Sequence, residues 1–244
     1  MDRFVEEALV LSTIDYGEAD RLVTLFTRGR GKVTAFAAGA RKSKRRFAGA
    51  LEPFTLLKAR LCERRGDTYR LDGVDVEAGY WEVRRQLPLI ARALYCVELC
   101  RELVRDREPH PELFELLAAY LAKLDRREAG PTSLLAFELE ALSFAGLRPR
   151  FDACARCAGP TGPSPRFDPS HGGVVCAGCL RPDQPSVSVE PALVEAMREI
   201  QGGGRTPLDA KARLAARELL NLFILHHLGR RLRSVDFMAQ AGLD

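Results

Sequence analysis

Four cysteines in the second half of the chain have the spacing of a metal site. Cys154 and Cys157 form one CxxC motif, Cys176 and Cys179 form another, and eighteen residues separate the motifs. Two intervening residues let both sulfurs of a pair turn toward one point, and two such pairs complete a tetrahedron about 2.3 Å from a bound ion. The spacing therefore predicts one structural Zn²⁺ ion held by four thiolates.

Other interpretations of these cysteines stay open. They could be unmetallated thiols or a redox pair. A catalytic zinc is disfavoured because four thiolates leave no position for water. His171, in the loop between the motifs, could replace one cysteine, although its neighbouring glycines favour a solvent-facing turn.

The loop between the two motifs contains four prolines. We expect it to build no core of its own and to depend on the metal for its shape. The remaining cysteines lie in apolar patterns, and we expect them to be buried packing residues. They are Cys62, Cys96 and Cys100.

A run of positive charge near the N-terminus is the second candidate site. Residues 28–46 contain no acidic residue, and the 29 basic residues elsewhere are outnumbered by the chain's 33 acidic ones, so the positive excess is local. A cationic field of this kind attracts polyanions. We expect the basic side chains of this segment to contact DNA phosphates. They are Arg28, Arg30, Lys32, Arg41, Lys42, Lys44, Arg45 and Arg46.

Three alternatives compete with DNA binding by this segment. Charge runs are often only solvated surface. An anionic membrane would call for an amphipathic helix or a lipidation signal, and the segment has neither. An adaptor whose basic loop docks an acidic protein is the alternative function. Because nothing resembles a recognition helix, DNA contacts are expected to tolerate any base sequence.

The N-terminal third of the chain has the pattern of short strands. Five strand-like runs between residues 4 and 79 are separated by Gly, Asp or charged turns. They predict a five-stranded closed barrel of the OB type, although an SH3-like barrel or a sandwich has a similar strand count. We expect Phe36 and Phe54 to point into this barrel, and Phe47 to be the residue that stacks on exposed bases.

After Trp81 the apolar period becomes helical. Helices are predicted in five runs, and residues 151–187, which hold the cysteines, lie between the third and the fourth. The predicted fold is α+β and multidomain, with an OB-fold domain at 1–80 and an α-helical domain at 81–244 that carries the zinc insert. The five runs are LPLIARALYCVELCRELV, PELFELLAAYLAKLDRR, TSLLAFELEALSFAG, EPALVEAMREI and DAKARLAARELLNLFILHHLG.

Several functional classes are disfavoured by what the sequence lacks. The N-terminus does not have the form of a secretory signal, and no run approaches the ~20 apolar residues of a membrane span, so a cytoplasmic protein is expected. The cysteines are not accompanied by paired carboxylates and histidine, and there is neither a GxxxxGK[ST] loop nor a nucleophile elbow. We therefore do not expect an enzyme.

The first sixty residues resemble the N-terminal domain of the bacterial RecO family of recombination and repair proteins. The order of the helical region, the four-cysteine element and the final HHLGRRLRS run also agrees, so the resemblance covers nearly the whole chain. Its landmarks are Tyr16-Gly17-Glu18, Asp20, Thr27, Gly31, Gly39-Ala40-Arg41-Lys42 and Leu51-Glu52-Pro53-Phe54.

The resemblance implies an OB-fold domain joined to a zinc-bearing helical domain. It implies binding of single- and double-stranded DNA and annealing of complementary strands. It also implies action with RecR, and in the pathway RecF, to load recombinase onto DNA coated by single-strand binding protein, whose acidic, hydrophobic tail contacts the helical domain.

Overall fold

The first five strands close into a barrel in the computed structural model, which describes residues 2–43, 45–64, 66–181 and 184–240. The strand order around the barrel is β1-β2-β3-β5-β4, and β1 pairs with β4 to close it. Neighbours are antiparallel except β3 and β5, which run parallel. The predicted OB-type barrel is confirmed. The strands are β1 (Arg3–Tyr16), β2 (Asp20–Thr27), β3 (Gly31–Ala37), β4 (Leu56–Cys62) and β5 (Thr68–Ala78).

Alternation along the strands decides which side chains enter the barrel. In β3, Val33, Ala35 and Ala37 are buried in the core, so the intervening Phe36 must point outward, where it is half-buried. Phe47, from the loop after β3, fills the core instead. The predicted orientations of these two phenylalanines were therefore wrong, because the two-residue period of KVTAFAA outweighs the apolar character of one ring.

Three helices complete the first compact unit, Met1–Glu128. Arg84 fastens them to the barrel, since its guanidinium donates to the carbonyl oxygens of Pro53 and Gly79 and lies 4.1 Å from the ring centre of buried Phe54. Asp125 Oδ1 accepts hydrogen bonds from the backbone N–H groups of Glu82 and Val83, at the start of the shortest of these helices. The helices are α1 (Trp81–Arg84), α2 (Leu87–Leu103) and α3 (Pro111–Asp125).

In the second compact unit, Ala129–Asp244, the described residues form four α-helices and a small antiparallel sheet of order β7-β6-β8. The sequence predicted α2 to α6 but missed α1, α7 and the sheet. A domain boundary near residue 80 stays a prediction. The elements are α4 (Ser133–Phe144), β6 (Arg166–Asp168), β7 (Gly173–Val175), β8 (Val187–Ser188), α5 (Pro191–Gln201), α6 (Ala210–Leu228) and α7 (Arg233–Gln240).

The proline-rich loop buries one large ring against rings from outside the loop. Phe167 of β6 is fully buried, and its ring centre lies 5.8 Å from that of Phe151 and 6.1 Å from that of Phe223 in α6. Phe151 precedes the cysteine motifs and Phe223 belongs to a distant helix, so these contacts agree with the expectation that the loop builds no core of its own. The small sheet was not predicted because strands of two or three residues are too short to show a period. Within the described ranges, no helix is long and apolar enough to cross a membrane.

Candidate metal centre and nucleic-acid interface

The fold brings the four cysteines of the two CxxC motifs together. All four Sγ atoms lie within 4.8 Å of one another, and those of Cys157 and Cys176 are 3.9 Å apart. Four thiolates around a tetrahedral ion with bonds of about 2.3 Å would be about 3.8 Å apart, so the arrangement fits such an ion. The predicted cluster is confirmed as a group that could bind a metal.

Backbone hydrogen bonds hold each motif as a tight turn. The N–H of Ala158 donates to the carbonyl of Cys154, and the N–H of Cys179 donates to the carbonyl of Cys176. Between the turns, Arg156 donates to the carbonyl oxygen of Cys179 at 2.7 Å, and the N–H of Cys176 donates to Cys154 Sγ at 3.4 Å. These hydrogen bonds orient the four thiols toward a common point.

The electrostatics of the cluster favour a divalent cation. Burial opposes ionisation of Cys154, but backbone N–H donors from Cys157, Cys176 and Arg156 lower its pKa to about 6. Hydrogen bonds with the Cys176 and Cys157 thiols raise the pKa of Cys179 to about 12. A divalent cation at the centre of the cluster would compensate the negative charge of four thiolates.

His171 is held in a turn and does not join the cysteines. Its Nδ1 lies 2.8 Å from Oδ2 of buried Asp168, whose Oδ1 accepts from the backbone N–H groups of Ser170 and His171. These hydrogen bonds lower the pKa of Asp168 even though burial acts in the opposite direction. The favoured interpretation of His171 as a solvent-facing turn residue is right about the turn and wrong about the ring, which is only 25% exposed and hydrogen-bonded to Asp168.

The grouping of Asp168, Ser170 and His171 is not a catalytic relay. Ser170 Oγ lies 2.6 Å from Asp168 Oδ1 and 3.1 Å from His171 Nδ1, the same ring nitrogen that faces the carboxylate. In a Ser-His-Asp triad the serine and the carboxylate contact opposite nitrogens. The group therefore fixes the 3₁₀ turn Pro169–His171 beside α6.

Replacing Asp168 with alanine is expected to destabilise the second unit by about 2 kcal/mol, because buried N–H groups lose a charged acceptor. The folded-state pKa of Asp168 lies below the ordinary value of about 3.9. The contribution of its carboxylate to the free energy of unfolding is therefore complete above about pH 3.9 and is lost as the pH falls through the folded-state pKa. Urea unfolding from pH 7 downward checks it. Asp152→Ala, at an exposed carboxylate paired with Arg150, is the matched control and should change stability little. A constant difference between Asp168→Ala and the native chain at all pH values would contradict the assignment.

The first three cations of the basic segment are paired with carboxylates. Arg28 forms ion pairs with Glu7, at 3.2 Å, and with Glu115 of α3. Arg30 lies 3.3 Å from Glu6, and its guanidinium is 3.9 Å from the ring centre of Phe4. DNA phosphates would have to compete with these partners, so the positive field here is weaker than the sequence suggests.

Lys32 is held in the same way by the chain between α2 and α3. Its Nζ lies 3.3 Å from Asp106 and donates to the carbonyl of Arg101 at 2.9 Å. Gly31 beside it has φ +66°, and a Cβ there would lie 2.0 Å from the carbonyl oxygen of Glu108. The β2–β3 turn is therefore covered by residues 104–110.

The rest of the basic segment lies in the loop after β3, residues 38–46, which we call the basic loop. Lys42 and Arg45 are exposed, and within the described ranges neither forms an ion pair. Arg41 approaches Asp15 at 3.5 Å, while Arg46 donates to the carbonyl of Ala38 at 2.8 Å. Lys44 lies outside the described residues. Within the described part of the basic segment, the cations without a carboxylate partner thus lie in the basic loop.

The backbone of the basic loop is tied to the turn between β1 and β2. Asp20 Oδ1 accepts from the N–H of Gly39 at 2.7 Å, and the N–H of Arg41 donates to the carbonyl of Ala19 at 2.9 Å. Gly39 has φ +67°, which an L side chain rarely adopts. Two landmarks of the sequence resemblance, Asp20 and Gly39, therefore act together to shape this loop.

An aromatic pair lies on the outside of the barrel and was not predicted from the sequence. The rings of Tyr16 and Phe36 meet edge to face, with centres 5.9 Å apart. The alternation of inward and outward positions in β3 is the signal that could have revealed it.

Comparison with known proteins identifies the family of the chain. The family model "Recombination protein O N terminal" matches residues 1–80, and "Recombination protein O C terminal" matches residues 84–236. The chain belongs to the RecO family. Its members in the comparison are named DNA repair proteins, so this chain is a RecO-family DNA repair protein with an OB-type barrel and a four-cysteine cluster.

Curated RecO-family relatives match along nearly their whole length. The DNA repair protein RecO of Myxococcus xanthus (strain DK1622) is 64% identical over 244 residues, covering 100% of both chains. That of Anaeromyxobacter sp. (strain K) is 51% identical, covering 99% of this chain and 98% of the relative. That of Geobacter sulfurreducens is 41% identical, with 96% of each covered.

Proposed function

We propose that this RecO-family protein is a mediator that binds single- and double-stranded DNA without sequence preference and anneals complementary strands in the cytoplasm. The observation that supports it is the basic loop, whose exposed Lys42 and Arg45 are displayed on an OB-type barrel. Such barrels commonly bind oligonucleotides. Of the eight predicted phosphate contacts, those in the basic loop are proposed to contribute most, since Arg28, Arg30 and Lys32 already have carboxylate partners.

Annealing by this surface needs no covalent catalysis. Two DNA strands repel each other through their phosphates, and a cationic loop that neutralises part of this charge lowers the cost of bringing them together. Base pairing then supplies the free energy. The protein is accordingly proposed to act without turnover chemistry, and the Asp168 group, which lacks relay geometry, is consistent with this role.

The proposed partners follow from the family resemblance. They are RecR, in the pathway RecF, and the acidic, hydrophobic tail of single-strand binding protein, with loading of recombinase as the outcome. For the tail, the second unit offers an apolar groove of about 980 Å³ lined by α5, α6 and α7, with Lys211, Arg230 and Arg231 among its lining residues. The apolar floor suits the hydrophobic residues of the tail. The tail's carboxylates would have to displace Glu190 from Lys211 and Asp236 from Arg231, which are their partners in the structure.

The proposed ion of the cysteine cluster is Zn²⁺ in a structural role. Four sulfur ligands suit zinc and leave no open position. The cluster joins the ends of a segment that builds no core of its own, so the ion would stabilise the shape of the second unit.

Strand annealing at increasing salt tests the proposed function. Annealing of complementary oligonucleotides should be faster with the protein than without it, and affinity for single strands should fall with a log-log slope of about −3 to −5. A slope near zero, or no acceleration of annealing, would contradict the proposal.

A further inference from the structure

Large apolar side chains are exposed on one part of the barrel surface. Ile14 is 65% exposed and Tyr16 is 56% exposed, both near the end of β1. Exposed apolar groups that lie together, unlike single ones, commonly mark a binding surface. The edge-to-face contact between Tyr16 and Phe36 shows that these residues form one surface.

The strand register places these residues in a row. Ile14 pairs with Leu22 of β2, and Leu22 pairs with Phe36 of β3, so the three side chains lie side by side on the outer face. A one-residue slip would turn them inward and expel the core residues Val23 and Ala35, so the barrel core fixes the row. We call Ile14, Tyr16, Leu22 and Phe36 the aromatic row.

The aromatic row is continuous with the basic loop. Arg41 of the loop donates to the carbonyl of Gly17, which directly follows Tyr16, at 3.3 Å. On the other side, the guanidinium of Arg64 lies 5.8 Å from the ring centre of Phe36. Positive charge therefore borders the row. A surface that binds the phosphates and stacks on the bases of a single strand requires such an arrangement.

We propose that Tyr16 and Phe36 form a stacking surface for unpaired bases of single-stranded DNA while the adjacent basic loop holds the phosphates. This inference rests on the proposed DNA-binding function and adds where the bases lie. In a duplex the base faces are already stacked, so the aromatic row would distinguish single strands from duplexes. Stacking tolerates any base because each has a π-face, which agrees with binding that does not depend on sequence.

The test compares Tyr16→Ala with the native chain on three probes of equal length: an oligonucleotide of about 16 deoxythymidines, within the site size of an OB fold, an abasic strand and a duplex. We expect Tyr16→Ala to lower affinity for the thymidine strand about tenfold, as loss of one stacked base would. Affinity for the abasic strand and the duplex should not change, and the salt slope should stay the same because no phosphate contact is lost.

Two further variants separate stacking from other effects. Tyr16→Phe retains the ring and should keep the native affinity for the thymidine strand. Trp81→Ala removes an aromatic side chain that is 68% exposed outside the row, and it should leave all three affinities unchanged. Phe36→Leu keeps an apolar group on the sheet and should reproduce the selective loss for the thymidine strand.

The outcomes distinguish this inference from the function on which it rests. If Tyr16→Ala lowers affinity equally on all three probes, or on none while the native chain binds them, base stacking is wrong but DNA binding stands. If the native chain binds none of the probes, the proposed function itself fails. Selective binding of a protein partner by the row, with DNA affinity unchanged in the variants, would also overturn the inference.

Discussion

Replacing Lys42, Lys44 and Arg45 with glutamate is expected to lower affinity for DNA about a hundredfold at 0.1 M salt, whatever its sequence. Each phosphate contact releases about 0.7 to 0.9 of a counterion, so three lost contacts cost about two powers of ten at this salt and reduce the log-log slope by about 2 to 3. Single strands and duplexes should lose affinity together. Fluorescence anisotropy over a salt series measures both quantities.

A control with the same change in net charge tests whether location matters. Arg85, Lys123 and Arg126 are exposed cations outside the basic segment, and the ion pairs of Arg85 with Glu82 and of Arg126 with Glu128 are exposed, so their loss costs little stability. Replacing all three with glutamate should leave most of the salt dependence of DNA affinity unchanged. Equal losses in the two triple variants would mean that DNA senses only the overall charge, and the basic loop would lose its proposed role.

The sequence predicted the strands and helices whose apolar residues recur at regular spacing, but it did not predict the contacts between distant elements. The five strands and five of the helices were readable because their apolar residues recur at regular spacing. α7 was missed although Val235 and Met238 are buried at helical spacing, because two apolar positions in eight residues are easily overlooked in the sequence. The three-residue strands of the cysteine element were missed for the same reason.

The two candidate sites differ in how far the sequence predicts them. CxxC spacing is local, so the cysteine cluster was predicted, whereas the partners of the basic segment are not local. Glu115 lies 87 positions after Arg28 and Asp106 lies 74 positions after Lys32 in the chain, and no composition count reveals that folding brings them together. A local excess of charge in a sequence therefore overstates the charge that remains available on the surface.

The outward direction of Phe36 and the burial of Phe47 make a related point. A strand residue is placed by the parity of its position, which the sequence displays, and a loop residue is placed by the space that the core leaves unfilled. The short side chains of Ala35 and Ala37 leave room in the barrel, and Phe47 contributes the large ring of that region. Sequence reasoning has access to the first rule but not to the second.

Replacing Cys176 with serine is expected to abolish tight metal binding and to destabilise the second unit while the barrel remains folded. Cys176 contributes one of four sulfurs that lie within 4.8 Å, and its backbone N–H also donates to Cys154 Sγ, so its loss opens the tetrahedron. Structural zinc contributes on the order of 10 kcal/mol to the folding of small zinc domains, more than the stability of many domains. The second unit should therefore melt at a markedly lower temperature.

Metal analysis and thermal unfolding together test this expectation. The native chain should contain one equivalent of zinc, and a chelator should reproduce the lower melting temperature of Cys176→Ser. Cys62→Ala is the matched control, since Cys62 is a buried thiol of the barrel outside the cluster, and it should retain the metal. DNA affinity of Cys176→Ser should stay near the native value at temperatures where the barrel is folded, because the basic loop belongs to the first unit. A variant that retains one equivalent of zinc, or that melts like the native chain after losing it, would show that the ion does not hold the second unit together.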